Sequence, residues 1–141
     1  MNDNFYLPEN TLVTQICGGD LTLLPSLFNQ RTSRLKAPML HCEGYTLEIF
    51  NDLTQNISND AAFSLIPETI VIVDKQDDQQ LFLLALTLLV GLIQASNTTQ
   101  LEPLLFAKLA SLSEKAKMFI NSQEADKCLH PIYQWYRIKN S

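Results

Sequence analysis

The longest apolar stretch of the chain runs from Leu81 to Ile93, and only Thr87 and Gly91 interrupt it. Polar residues frame this stretch, with Asp77 to Gln80 before it and Gln94 after it. At the helical rise of about 1.5 Å per residue the stretch would span roughly 20 Å, which is short of the ~30 Å hydrocarbon layer of a membrane. The pattern therefore predicts a buried core helix and no membrane span.

This central helix is predicted to run from about residue 77 to residue 96, with an acidic pair at its start that favours the N-terminal end of the helix dipole. Because the stretch is apolar on all sides, other parts of the chain must cover most of its surface. Leu84, Leu88 and Leu92 are spaced by four residues within it, and we expect all three in the core.

Apolar residues recur at helical spacing in several other segments. Proline marks some of the boundaries, since it is tolerated in the first turn of a helix and breaks a helix further along. These patterns predict helices over residues 20–36, with Pro25 in the first turn or at the start, over 46–57, over 61–66 up to Pro67, over 103–120 with Pro103 in the first turn, and a short one after Pro131. The 103–120 helix is expected to pack on the central helix.

Two segments leave the fold class open between two alternatives. Residues 68–73 form a β-branched run between Pro67 and a polar turn, which is typical of a strand, and residues 39–45 read as a loop or a short strand. The main prediction is a compact, mainly α bundle of about five or six helices around the apolar central helix. The alternative is an α+β fold in which 39–50 and 68–73 pair in a small antiparallel sheet.

Composition predicts one globular domain over residues 1–141, with residues 1–10 as a possible flexible arm. Hydrophobic residues make up 46% of the chain and charged residues 18%, as in ordinary folded proteins. The formal net charge of −5 disfavours nucleic-acid binding, which needs clustered lysine and arginine. The N-terminus lacks a basic region followed by an apolar stretch, and three widely spaced cysteines fit reduced thiols, so we expect a cytoplasmic protein.

Cysteine and histidine occur together twice, as His41-Cys42 and as Cys128-Leu129-His130. Four such ligands would suffice for zinc, but neither pair has the spacing of two to four intervening residues that zinc fingers use. We therefore expect no metal and no cofactor. A cysteine–histidine dyad would need these side chains to meet in space, which the sequence leaves open.

Two clusters are candidates for binding a partner. The first holds aromatic residues beside a cation at the end of the chain, a composition that is typical of interaction hot spots and equally of a helix that closes a core: Tyr133, Trp135, Tyr136 and Arg137. The second is basic and lies at a predicted helix end, where cations also favour the helix dipole: Arg31, Arg34 and Lys36.

The expected function is that of a non-enzymatic, cytoplasmic protein-interaction module, such as an adaptor, a secretion-type chaperone or an inhibitor of another protein. Its partner would be another protein or a second copy, since the acidic balance and the excess of apolar residues favour contacts of this kind. Two alternatives remain, namely a small cysteine- or metal-dependent enzyme and a helical binder of an apolar ligand.

Overall fold

The computed structural model describes residues 9–33 and 43–136, with side chains described for 11–30, 49–121 and 123–136. Within these ranges the chain forms seven α-helices, one 3₁₀ turn at Leu21–Leu23, and no strand. The helices are α1 Glu9–Cys17, α2 Leu24–Ser33, α3 Glu43–Asn56, α4 Asn59–Lys75, α5 Gln79–Ser96, α6 Pro103–Phe119 and α7 Ser122–Tyr136. The mainly α prediction is confirmed with more helices than expected, and the α+β alternative is not needed.

Helix α5 is the predicted central helix. The carboxylate of Asp78 accepts a hydrogen bond from the backbone N–H of Leu81 at 3.0 Å and so caps the N-terminus. The helix ends at Asn97, whose φ of 53° places it in the left-handed region. Leu84, Leu88 and Leu92 are all buried, as predicted.

Other helices cover α5 on most of its circumference. Helix α4 makes the most extensive contact, and α3 and α7 pack on other sides. Helix α6 was expected to pack on α5, but it lies chiefly against α4 and α7. It meets α5 through the rings of Phe82 and Phe119, whose centroids are 5.2 Å apart.

The predicted break at Pro67 is wrong, since α4 continues through Pro67 to Lys75. Residues 68–73, for which the sequence left a strand open as the alternative, lie in this helix. Proline removes the hydrogen bond to the carbonyl of Phe63 and costs about 3 kcal/mol inside a helix. The helix nevertheless buries a long apolar face, and each large aliphatic side chain contributes about 1.5–3 kcal/mol. The buried residues are Ala62, Leu65, Ile66, Thr69, Ile70, Ile72 and Val73.

The predicted helix boundary at Pro131 is also wrong. Helix α7 begins at Ser122, nine residues earlier, and Pro131 lies inside it. The side-chain oxygen of Asn121 accepts from the backbone N–H of Glu124 at 2.8 Å and so satisfies one donor of the first turn. As in α4, packing of the buried face (Ala125, Leu129, Ile132) offsets the hydrogen bond that proline removes.

Gly18 and Gly19 form the turn that follows α1, and Gly19 has a φ of 119°. The side chain of Asp20 does not cap α2. It accepts from the hydroxyl of Thr22 at 2.7 Å within the 3₁₀ turn. Pro25 lies in the first turn of α2, as predicted.

Some predictions fall outside the described residues. These are most of the 1–10 arm, the end of the 20–36 helix and most of the ambiguous segment 39–45, whose last residues belong to α3. Among the described residues α5 is the one helix long and apolar enough to cross a membrane by length and composition, and half of it is buried inside the fold.

Replacing Leu88 with Ala should lower the free energy of unfolding by about 2–5 kcal/mol, because Leu88 is 1% exposed at the centre of the core. The matched change Leu83→Ala should cost less, since Leu83 is only half-buried on the same helix. Urea unfolding of both variants measures this. Equal losses would contradict the central position of Leu88.

Candidate functional site

One face of α5, between α3 and α7, is not covered by the residues that the structure describes. We call it the α5 strip, and it consists of Leu83, Thr87, Val90 and Gln94. These residues follow one another at intervals of four, three and four, so they lie along one side of the helix. Thr87 and Gln94 are exposed, whereas Leu83 and Val90 are half-buried.

The strip forms one wall of an apolar groove against α7. A first depression of about 400 Å³ is lined by Leu83, Leu86, Thr87 and Val90 of α5 and by Lys127, Cys128 and Pro131 of α7. A second, of about 320 Å³, is lined by Gln94, Thr99, Pro131, Gln134 and Trp135. The two depressions share Pro131, and we call them together the α5–α7 groove.

The order of the lining residues shows that α5 and α7 run in the same direction. Residue numbers rise along both helices from the first depression to the second, so the N-termini of α5 and α7 lie at one end of the groove. From Leu83 to Gln94 the groove follows α5 for about 16 Å, or about three helical turns. The groove is long enough for a short helical segment.

The polar side chains of the first depression already have partners or are neutral. The hydroxyl of Thr87 donates to the carbonyl of Leu83 in the same helix at 2.8 Å. The ammonium of Lys127 lies 3.4 Å from the carboxylate of Glu124. Burial, and secondarily the charge of Glu124, raise the pKa of the Cys128 thiol, so the thiol is protonated near neutral pH. The groove thus offers contact surface rather than an activated nucleophile.

On its other side the strip meets α3 through a close contact. Gly91 faces Thr54, and a Cβ placed on Gly91 would lie 2.9 Å from the methyl carbon of Thr54. A shallow depression of about 240 Å³ surrounds this contact. The missing side chain of Gly91 lets α3 approach α5 closely.

The predicted aromatic cluster anchors the end of α7. Tyr133 is buried at 8% exposure. Trp135 is half-buried, and its indole nitrogen donates to the carbonyl of Thr98 at 2.9 Å, which ties α7 to the connection between α5 and α6. Trp135 also lines the far end of the groove. Partner binding by this cluster stays a prediction, and Arg137 lies outside the described residues.

The hydroxyl of Tyr136 is buried and has no hydrogen-bond partner. Burial and the charge of Glu102 raise the pKa of Tyr136 to about 12. Glu102 is itself 8% exposed, and its carboxylate caps α6 by accepting from the backbone N–H of Leu105 at 2.8 Å. The last turn of α7 therefore rests against the first turn of α6.

The other candidate residues lie mostly outside the described side chains. These are Arg31, Arg34, Lys36, His41 and Cys42, so the predicted basic site stays a prediction, and whether a cysteine–histidine dyad forms with His41 or Cys42 stays open. Cys128 lies in the groove and His130 is exposed. No cluster of three or more His, Cys, Asp or Glu able to hold a metal occurs in the part of the chain that the structure describes.

Sequence reasoning missed the groove because Leu83 and Val90 look like the rest of the apolar run. One signal in the sequence could have indicated an uncovered face. Thr87, Gly91 and Gln94, which interrupt or end the apolar run, recur at intervals of four and three and so lie on one side of a helix. Comparison with models of known protein families, with curated proteins and with solved structures found no significant match.

Gly91→Ala should lower the melting temperature, because the new methyl group presses on the stiff side chain of Thr54. Overpacking of this kind costs about 1–3 kcal/mol, which exceeds the gain of about 1 kcal/mol in helix propensity. In a Thr54→Ser background, which lacks the methyl group, the same change should be neutral or stabilising. Thermal melts of the wild type, the two single variants and the double variant test this. An equal effect of Gly91→Ala in both backgrounds would contradict the contact.

Tyr136→Phe should make stability less sensitive to alkali. The folded-state pKa of Tyr136 is about 12 and the unfolded one about 10. The stability from the neutral hydroxyl is therefore fully present below pH about 10 and is lost as pH rises toward 12. Urea unfolding at pH 9 to 11.5 should show a shallower decline for the variant. Identical declines would mean that the hydroxyl is solvated.

Proposed function

We propose that this protein is a non-enzymatic interaction module that binds a helical segment of a partner protein in the α5–α7 groove. The observation that carries the proposal is the strip on α5, an uncharged and half-buried helix, that the other described helices leave uncovered. The half-buried Leu83 and Val90 of the strip line a depression of about 400 Å³, and this is the kind of surface that receives an apolar anchor from a partner.

The backbone of the groove favours a helical occupant. Its two walls are helices, whose backbone groups are largely bonded within each helix, and Thr87 uses its hydroxyl on its own helix. An extended peptide would leave its own N–H and C=O groups without partners there, whereas a helix satisfies them internally. An amphipathic helix can therefore bury its apolar face in the groove without an unpaired backbone group.

Binding suits the chemistry of the groove better than catalysis does. The Cys128 thiol has a raised pKa, and the exposed His130 is not among the groove-lining residues. The second alternative, an apolar small ligand, is less well supported because the depressions are open along the molecular surface. The free thiols of Cys17 and Cys128 fit the cytoplasmic setting that we propose for the interaction.

The proposal is tested by blocking the groove with a bulky neutral side chain. Thr87→Trp places an indole on the exposed centre of the α5 strip. Val71→Trp is the matched control, because Val71 is 39% exposed on α4 outside the groove. The full chain and both variants are immobilised, and captured proteins from the cells that make the chain are quantified by mass spectrometry, with circular dichroism to verify folding.

We expect at least one protein to be captured by the wild type and by Val71→Trp and to be depleted about tenfold or more by Thr87→Trp. The factor corresponds to about 1.4 kcal/mol for the loss of a single apolar anchor. Captured proteins that do not distinguish the two variants would contradict the proposal. Self-association that only Thr87→Trp abolishes, measured by sedimentation, would replace the partner protein with a second copy.

A further inference from the structure

Resting on the proposed function, the charges around the α5–α7 groove indicate which kind of helix it takes. Glu124 precedes Cys128 by four residues and Pro131 by seven, so it lies on the groove face of α7, one turn before the first depression. Asp77 and Asp78 lie at the start of α5, at the same end of the groove. This end therefore carries three carboxylates beside one cation, Lys127, which is the charged residue that lines the first depression, whereas the middle of the groove is apolar.

A backbone oxygen adds an acceptor at this end of the groove. Pro131 has no N–H, so the carbonyl of Lys127 lacks its usual intrahelical donor. Because Lys127 and Pro131 both line the first depression, this carbonyl lies on the groove side of α7. The carboxylate of Glu124 and the carbonyl of Lys127 are thus two acceptors at this end of the groove.

The ion pair between Lys127 and Glu124 does not prevent a cation of a partner from binding at this position. Their side chains are 67% and 52% exposed, and the ammonium approaches only one carboxylate oxygen, Oε2. Such exposed pairs contribute only about 0–1 kcal/mol, so a cation from a partner can share or replace the contact.

A lysine in the same fold already uses acceptors of this type. The ammonium of Lys115 donates to the backbone carbonyls of Val73 and Asp74 at the C-terminus of α4, and it lies 5.9 Å from the centre of the Phe82 ring. Carbonyls at a helix end beside apolar surface therefore hold an ammonium group in this protein.

The wider charge distribution points the same way. Residues 49–136 hold ten acidic residues and five lysines, and no arginine. An acidic surface attracts cationic partners and repels a second copy of the same chain.

We infer that the α5–α7 groove binds a cationic amphipathic helix, with its apolar face on the α5 strip and a lysine or arginine at the end beside Glu124. The cation bonds to the Glu124 carboxylate and the Lys127 carbonyl. The aliphatic stem of the same side chain lies along the apolar groove.

The test uses two synthetic sixteen-residue helical peptides as probes. Both carry leucines along one face over three turns, and they differ in the terminal turn, where one has two lysines and the other two glutamines. Binding to the full chain is measured by fluorescence anisotropy at low and at 0.5 M salt. The test variant is Glu124→Gln on α7. The control is Glu114→Gln, which removes the same charge from an exposed residue of α6.

At low salt the lysine peptide should bind about threefold or more tightly than the glutamine peptide. Glu124→Gln should remove most of that preference and Glu114→Gln should leave it, since one rim pair contributes up to about fivefold. High salt should weaken the preference. If both peptides bind equally well and Thr87→Trp blocks both, this inference is overturned and the proposed function stands. Binding of neither peptide, or binding that Thr87→Trp does not affect, would overturn both.

Discussion

Helix α5 contains no charged residue from Gln79 to Ser96, so its apolar surface has to be covered by other helices. The most extensive cover comes from α4, which joins α5 through a short connection and buries residues from Ala62 to Val73 against the core. Burial on this scale keeps α4 helical despite Pro67 and its β-branched run. The other helices that contact α5 pack on the sides of it that α4 does not cover.

The contact between Gly91 and Thr54 brings α3 close to α5 on one side. On the other side, Trp135 and Tyr136 hold the end of α7 against the α5–α6 connection and the first turn of α6. Because α7 is fixed at this end and runs parallel to α5, the space between the two helices persists as a groove. The same aromatic residues that resemble an interaction hot spot in the sequence thus hold one wall of the candidate site.

Much of the candidate site was beyond sequence reasoning. The sequence singled out Trp135 by its residue type, and the structure shows that Trp135 lines one end of the groove. Leu83 and Val90 could not be singled out, because nothing local distinguishes them from Leu84 or Leu88. Exposure of a residue on an all-apolar helix depends on where α3 and α7 pack, and those contacts join residues that are distant in sequence.

The sequence by itself favoured the helical class, and it determined the central helix and those boundaries that depend on local chemistry. Asp78 caps α5 and Pro103 begins α6 because a carboxylate or a proline at a helix start acts on the neighbouring backbone alone. Only the tertiary structure decided that α4 and α7 pass through Pro67 and Pro131 and that one face of α5 stays open. At each proline the local cost of about 3 kcal/mol is offset by burial of apolar side chains against other helices, and the linear sequence pattern does not contain those contacts.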